Sequence, residues 1–393
     1  MIFDIKLKEV IEYLKLNLKG KFDDDTTQAI ATHILQNPTE TVPFLTESFK
    51  KKLQKDLSIT SSIIDPDIPF PPNKMANFKF IDLFAGIGGF RIPLQEIGGK
   101  CVFSSEWDKS AKKTYFQNFG EIPFGDIRDF TKKEFTNAQI NKLIPDHDIL
   151  AAGFPCQPFS HAGVSARQSV GKKHGFEDEI QGTLFFDIVR IVKAKKPKIL
   201  LLENVRNLKS HDEGRTFNKI KDTVEKYLNY SFSFEIIDSS SLVPQRRKRC
   251  FMICYRDKGS TYQFPEITGE PLPLRSILEK SPPSKYTISD KLWAGHISRT
   301  KRNIERGTGF TAHTADLDKP SNTIVARYGK DGKECLIPQK GKNPRKLTPR
   351  ECARLLGFPE DYLLPEYDSP AYKQFGNSVV VPVVKEIVKN LDI

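Results

Sequence analysis

Between residues 78 and 255 short apolar runs recur at intervals that a strand–helix alternation would need. Phe78 to Phe84, Cys101 to Ser105, Asp148 to Ala152, Lys198 to Leu202 and Cys250 to Tyr255 all have the length and composition of strands. Between two of them, the stretch 182–194 carries Leu184, Ile188, Ile191 and Val192 at helical spacing. Such alternation predicts βαβ units and a mostly parallel sheet covered on both faces, an α/β fold.

The flanks follow other rhythms. Leu7, Val10, Ile11 and Leu14 have helical spacing, as do Ile30 with Ile34, and Leu45, Phe49 and Leu53. Residues 1–72 therefore read as an N-terminal helical extension. It closes in an extended linker, because the prolines at 66, 69, 71 and 72 exclude helix and central strand. This extension is either a packing element or an appendage with a role of its own. Residues 73–255 form the expected α/β domain. Residues 256–344 break its rhythm with glycine, proline and basic residues, and read as a smaller irregular lobe. Residues 345–393 then return to the α/β domain, beginning with a capped helix. Thr348 is placed at its N-cap, Pro349 at N1, Glu351 at N3 and Gly357 at its left-handed stop.

A chain of 393 residues can hold one large core and smaller satellites. Its formal net charge of +12 suits a polyanionic partner. Six cysteines occur without a C-x-x-C pair, so neither a zinc site nor a disulfide framework is indicated, and no metal is expected. Cys250 and Cys254 share a strand face as buried apolar residues. Reduced thiols, and no apolar run of membrane-spanning length, suit a cytoplasmic protein.

The candidate chemistry sits at strand ends. Cys156 lies in Gly153-Phe154-Pro155-Cys156-Gln157-Pro158, where flanking prolines restrict the backbone that carries the thiol. Glu203 ends the next apolar run. The C-terminal edge of a parallel sheet is where ligands bind. A nucleophilic sulfur and a proton-handling carboxylate there suit addition to an electron-poor ring. Upstream, Gly86-Ile87-Gly88-Gly89 forms a tight turn after a strand, and Glu106 ends the following strand, where it can hold ribose hydroxyls. A nicotinamide-binding domain shares that spacing. Its fingerprint, however, needs a third glycine where this chain has Arg91.

Taken together and in order, several blocks resemble the bacterial DNA (cytosine-5) methyltransferases from about residue 77 to the C-terminus. They are Asp82-Leu83-Phe84-Ala85-Gly86, Glu106-Trp107, Gly125-Asp126-Ile127, Pro155-Cys156-Gln157, Glu203-Asn204-Val205, Gln245-Arg246-Arg247-Lys248-Arg249 and Gln374-Phe375-Gly376-Asn377-Ser378. The resemblance implies a Rossmann-like S-adenosylmethionine-dependent methyltransferase sheet with a target-recognition domain at 256–344. It implies that Cys156 attacks carbon 6 of cytosine, Glu203 serves ring N3 and Arg249 the carbonyl O2. Asn204 would position the loop, and Arg247 would brace the site or bind phosphate. For the cofactor it implies Phe84, Ala85, Gly86, Ile87, Gly89, Glu106, Trp107, Asp126, Ile127 and Pro155, closed by Asn377 and Ser378.

The target base must be flipped out of duplex DNA to meet a buried thiol. Residues 160–178, with Ser160 and Arg167, read as a loop closing over it and touching phosphate. Gly307-Thr308-Gly309-Phe310 and Thr323-Ile324 look like recognition-domain signatures. Arg327, Tyr328 and Lys330 form an expected hairpin-like reader, with arginine for guanine. Their surroundings are similar to enzymes methylating the inner cytosine of CC(A/T)GG; CCNGG, CCGG and GCNGC remain open. The expected product is S-adenosylhomocysteine, the expected state a monomer, and a cognate restriction endonuclease a possible companion in the cell. A tRNA cytosine-5 methyltransferase and a non-catalytic DNA-binding regulator are the alternatives.

Overall fold

The computed structural model describes residues 2–155, 184–307 and 314–393. Cys156, Ser160, Arg167, the 160–178 loop and the Thr308 to Phe310 turn lie outside the described residues. The chain divides into two units. The first comprises Met1–Ile236, Arg249–Phe264 and Val388–Ile393, the second Ile237–Lys248 and Pro265–Ile387.

The first unit opens with α1 (Ile2–Leu18), α2 (Asp24–Gln36) and α3 (Glu47–Asp56). It continues through β1 (Phe78–Leu83), α4 (Arg91–Glu96), β2 (Gly99–Ser105), α5 (Lys109–Phe119) and α6 (Asn137–Leu143). Then come β3 (Ile149–Gly153), α7 (Leu184–Lys195), β4 (Ile199–Val205), α8 (Arg215–Asp222) and β5 (Ser233–Asp238). A two-residue β6 (Gln245–Arg246), part of the second unit, precedes β7 (Lys248–Tyr255). Local chemistry sets many boundaries. Asp23 accepts from the Thr26 N–H to cap α2, Asp108 caps α5, and Gly120 ends α5 in the left-handed region. Thr136 and Gln139 form a reciprocal capping box on α6.

The main sheet has the order β2-β1-β3-β4-β7-β5. β1 pairs in parallel with β2 and β3, and β3 with β4. Helical crossovers supply the connections that parallel pairing requires. β7 runs antiparallel to β4, so Arg249 near its start lies opposite Val205 at the end of β4. That reversal brings a second element to the edge where β1 to β4 end. All five strands expected from the apolar runs are present. β5 escaped the sequence reading because most of its positions are half-exposed and its apolar signal is weak.

The first three helices share the core of this unit. Phe44 packs on Phe130, and Lys79 pairs with Glu40 at 2.6 Å. Phe103 stacks on Phe124, with centroids 5.2 Å apart and planes 12° from parallel. Among the described residues, no helix is long and apolar enough to cross a membrane.

The second unit contains α9 (Asp290–Glu305), β8 (Ser321–Asn322), α10 (Tyr328–Asp331), β9 (Ile337–Gln339) and β10 (Lys342–Arg345). It ends in α11 (Pro349–Leu355), α12 (Asp368–Asn377) and α13 (Val381–Val388). β6 pairs with β8, and β9 with β10. The cap expected on α11 forms as read. Thr348 and Glu351 bond reciprocally, Pro349 follows, and Gly357 has φ +70°. A Cβ on Gly357 would fall 2.2 Å from the Pro382 ring, so the glycine also permits close packing. Buried Arg345 grips Glu351 with two bonds of 2.7 and 2.8 Å.

One expectation fails here. Residues 326–332 form a helical turn rather than a hairpin, closed by Gly332 in the left-handed region. Tyr328 is fully buried; its hydroxyl donates to the Cys335 carbonyl at 2.6 Å and accepts the Leu347 N–H at 2.8 Å. An irregular lobe has few large apolar side chains, and this ring serves its core.

Candidate active site

Four parallel strands and one reversed strand deliver functional side chains to a single sheet edge. After β1, Phe84 adopts φ +56° and Gly86 φ +54°. The Phe84 conformation is costly for a residue with a Cβ and marks a constrained turn. A Cβ on Gly86 would meet little beyond the Phe84 carbonyl oxygen at 3.9 Å, leaving room above the turn. Gly88 instead permits close packing, since a Cβ there would fall 2.3 Å from the Phe119 ring.

Glu106 follows β2 and is buried. Its carboxylate accepts the Gly86 N–H at 2.9 Å and the Asp108 N–H at 2.8 Å, which ties the turn after β1 to the end of β2. Burial raises its pKa above the usual carboxylate value, and these backbone donors oppose that shift. Beside it the Trp107 ring is 75% exposed, so it is no core residue. Asp126 caps its own turn through the Arg128 N–H at 2.9 Å. Arg128 also bonds the Asp126 side chain and lowers its pKa. Ile127 is buried beside it.

Arg91, read from the sequence only as a missing glycine, is wholly buried in a polar network. It bonds Gln95 at 2.6 Å, Tyr115 at 3.0 Å and Glu121 at 3.2 Å, while Ser104 donates to Glu121 at 2.6 Å. Neighbouring Asp82 is fully buried, and desolvation raises its pKa well above the usual range. No sequence signal linked Arg91 to Tyr115 and Glu121, which lie 24 and 30 residues further along the chain.

The other side of the edge is built by β3, β4 and β7. Gly153 pairs with Glu203 across β3 and β4. A Cβ on Gly153 would sit 3.5 Å from the Glu203 Oε2 and 3.3 Å from the Phe90 ring, so the small residue keeps the carboxylate's surroundings open. Glu203 is 8% exposed, and the Arg249 Nε lies 3.1 Å from its Oε1. Burial lowers the Arg249 pKa and Glu203 opposes the shift. Asn204 is buried; its Nδ2 donates to the Phe154 carbonyl at 2.8 Å, and its Oδ1 accepts the Val205 N–H at 2.8 Å. Phe154 packs on Phe185, centroids 5.5 Å apart, and Pro155 after it is exposed. Cys156 is next in the chain.

In the second unit, Arg247 is buried and donates to the carbonyls of Ile324 at 3.0 Å, Gly376 at 3.0 Å and Ser378 at 2.7 Å. Backbone carbonyls of the same unit thus engage both terminal nitrogens of the guanidinium. Asn377 is exposed and Ser378 half-buried. Arg327 and Lys330 are exposed, and the Thr323 hydroxyl donates to the Arg246 carbonyl at 2.6 Å. Tyr328 has no surface to offer DNA, which corrects its expected place among the readers.

A family model described as C-5 cytosine-specific DNA methylase matches residues 78–392. The Type II methyltransferase M.SsoII of Shigella sonnei is 47% identical over 339 residues, 84% of each chain. The Type II methyltransferase M1.ScrFI of Lactococcus lactis subsp. cremoris is 47% identical over 85% of this chain and 83% of its own. The fold is also that of the S. pombe Dnmt2 methyltransferase crystal structure, with a TM-score of 0.61 at 18% identity over 79% of this chain and 96% of that one. From the match along residues 78–392 and the identity shared with these relatives, the chain belongs to the C-5 cytosine-specific DNA methylases.

Proposed function

We propose that this enzyme methylates carbon 5 of a cytosine flipped out of a short, specific duplex DNA site, through a covalent bond from Cys156 to carbon 6. The observation that carries the reading is the Glu203–Arg249 pair, at 3.1 Å, beside the end of the strand that leads to Cys156. Carbon 5 of cytosine is a poor nucleophile. Thiolate addition at carbon 6 makes the ring an enamine whose carbon 5 can accept a methyl group. Glu203 hydrogen-bonds or protonates ring N3, drawing charge from carbon 6 as sulfur adds. Arg249, held against Glu203, donates to O2. Asn204 is a positioning residue that fixes the Phe154 carbonyl just before Pro155 and Cys156. Arg247 is a brace in the second unit. Removal of the carbon 5 proton then lets the sulfur leave.

The cofactor half of the edge fits S-adenosylmethionine better than a dinucleotide. Gly86 leaves open space above the turn, Glu106 stands at the strand end for ribose, and the Trp107 face is free for an adenine. Buried Arg91 fills the helix–strand junction where a pyrophosphate site would need glycine. When bound, S-adenosylmethionine supplies an electrophilic methyl carbon on a sulfonium. Phe84, Ala85, Ile87, Gly89, Asp126, Ile127 and Pro155 would line its site. The family resemblance alone adds Asn377 and Ser378.

DNA reading is assigned to residues 256–344, with exposed Arg327 and Lys330 as candidates for base and phosphate contact. Thr323 and, outside the described residues, Ser160 and Arg167 are the further candidates. Relatives named Type II methyltransferases support a place in a restriction-modification system with a cognate endonuclease. The test is incubation of duplexes carrying 5-fluorocytosine in CC(A/T)GG and CCNGG contexts with enzyme and S-adenosylmethionine. Fluorine cannot leave as a proton, so a covalent adduct accumulates with wild type and none with Cys156→Ser. An adduct with the mutant, or none with wild type on a site that bisulfite sequencing identifies as methylated, overturns the assignment.

A further inference from the structure

Residues 119–126 form a strap that links the N-terminal helices to the cofactor edge. The strap leaves α5 at Gly120, whose φ is +65°. It is pinned to the end of β2 by two bonds: the Phe124 N–H donates to the Ser104 carbonyl, and the Glu106 N–H donates to the Phe124 carbonyl, both at 2.8 Å. Asp126 follows Phe124 in the chain by one glycine. Whatever holds this strap therefore holds the backbone of both Glu106 and Asp126.

Helix α2 holds it at three places. The Gln36 Nε2 donates to the Phe119 carbonyl at 2.8 Å, the Ile122 N–H donates to the Thr32 hydroxyl at 3.1 Å, and the His33 ring meets the Phe124 ring edge-on at 5.5 Å. Thr32, His33 and Gln36 have no exposed surface. Phe119 ends α5, where carbonyls lack partners within the helix, and Ile122 lies in irregular backbone that needs a partner from elsewhere. These residues precede the region matched by the methylase family model, which begins at residue 78.

We propose that α2 is a buttress of the cofactor half-site: Thr32, His33 and Gln36 are positioning residues that hold the Phe119 to Asp126 strap, and through it Glu106 and Asp126, in register for S-adenosylmethionine. The inference rests on the cofactor reading given above, in which Glu106 and Asp126 contact the nucleoside.

The test uses the full chain with Thr32→Val, Thr32→Ser and Gln36→Leu. Isothermal titration gives the Kd for S-adenosylhomocysteine, and steady-state methylation of duplex DNA gives KM for S-adenosylmethionine and kcat. Loss of the Thr32 or Gln36 bond should raise Kd and KM about five- to tenfold, as expected for one anchoring hydrogen bond. At saturating cofactor kcat should stay within about twofold, and Thr32→Ser, which keeps the hydroxyl, should restore native binding. If Thr32→Val does not fold, Gln36→Leu and Thr32→Ser carry the comparison. Folded Thr32→Val or Gln36→Leu with native Kd and KM, or with kcat lowered alone, overturns the proposal. Glu106→Gln and Asp126→Ala separate the two readings. If they leave Kd unchanged, the cofactor assignment fails; if they weaken binding while the α2 variants do not, only the buttress fails.

Discussion

The Arg249 Nε lies 3.1 Å from the Glu203 Oε1 because β7 runs antiparallel to β4 and brings its first residues to the end of its neighbour. In that register Arg249 is opposite Val205 and Phe251 opposite Glu203, so the two charged side chains meet diagonally on one face. Neither group can be changed without leaving the other buried beside an altered partner. Glu203→Gln should lower single-turnover methylation by roughly 10²–10⁴, the usual worth of a general acid, with cofactor affinity nearly unchanged. Arg249→Lys keeps the charge but loses the planar fork, and should also lower the rate. Near-normal turnover in Glu203→Gln would require another acid at N3.

Asn204 tests whether the thiol loop is positioned from β4. Asn204→Ala leaves the Phe154 carbonyl and the Val205 N–H without their present partner. Stability in urea should fall by about 1–3 kcal/mol, the cost of an unsatisfied buried polar group. The rate of adduct formation on 5-fluorocytosine DNA should fall further than that loss of folded protein explains, while S-adenosylhomocysteine binding persists. Adduct formation at the native rate would detach Asn204 from the loop's function.

Arg327 and Tyr328 are adjacent in the chain and opposite in exposure, so they make a paired test of the reader. Arg327→Ala should cost about 1–3 kcal/mol of affinity for the cognate duplex and relax discrimination, as loss of a bidentate guanine contact does. Tyr328→Phe removes the bonds to Cys335 and Leu347, and should lower thermal stability without altering site preference. Bisulfite sequencing of DNA methylated by each variant reads the difference. A changed site with Tyr328→Phe and an unchanged one with Arg327→Ala would reverse the assignment.

His147 supplies a pH dependence. Its ring is buried, with Nδ1 2.9 Å from the Pro145 carbonyl oxygen, and burial pushes its pKa down to about 4. Unfolded histidine titrates near 6.5. Between those values the unfolded chain binds more protons, so stability rises with pH across the window and is lost as pH falls from 6.5 towards 4. The contribution is fully present above 6.5. Buried His33 is shifted in the same direction by desolvation and adds to the slope. Urea midpoints between pH 5 and 7 should therefore decline on acidification, and His147→Gln should flatten the decline. An unchanged slope in His147→Gln would place the titration elsewhere.

Features set within a few residues were legible in the chain. Thr348, Pro349, Glu351 and Gly357 cap their helix as read, because each bond joins atoms about one turn apart. The apolar runs declared five strands because burying a strand on both faces demands such runs at any position in the sheet. The order of the blocks from Asp82 to Ser378 carried the family. Tertiary structure alone decided the rest. Nothing near Arg249 states that its strand is reversed or that Glu203 is its partner. Residues 326–332 could turn as a hairpin until Tyr328 was needed in the lobe's core. Nothing in the sequence marks Thr32 or Gln36, and Arg91 reads only as a missing glycine. Their partners at Ile122, Phe119 and Glu121 are brought close only when the whole sheet and its covering helices pack. Local propensity acts over one turn or one strand, whereas buried polar groups find partners wherever the fold leaves a donor or acceptor away from water.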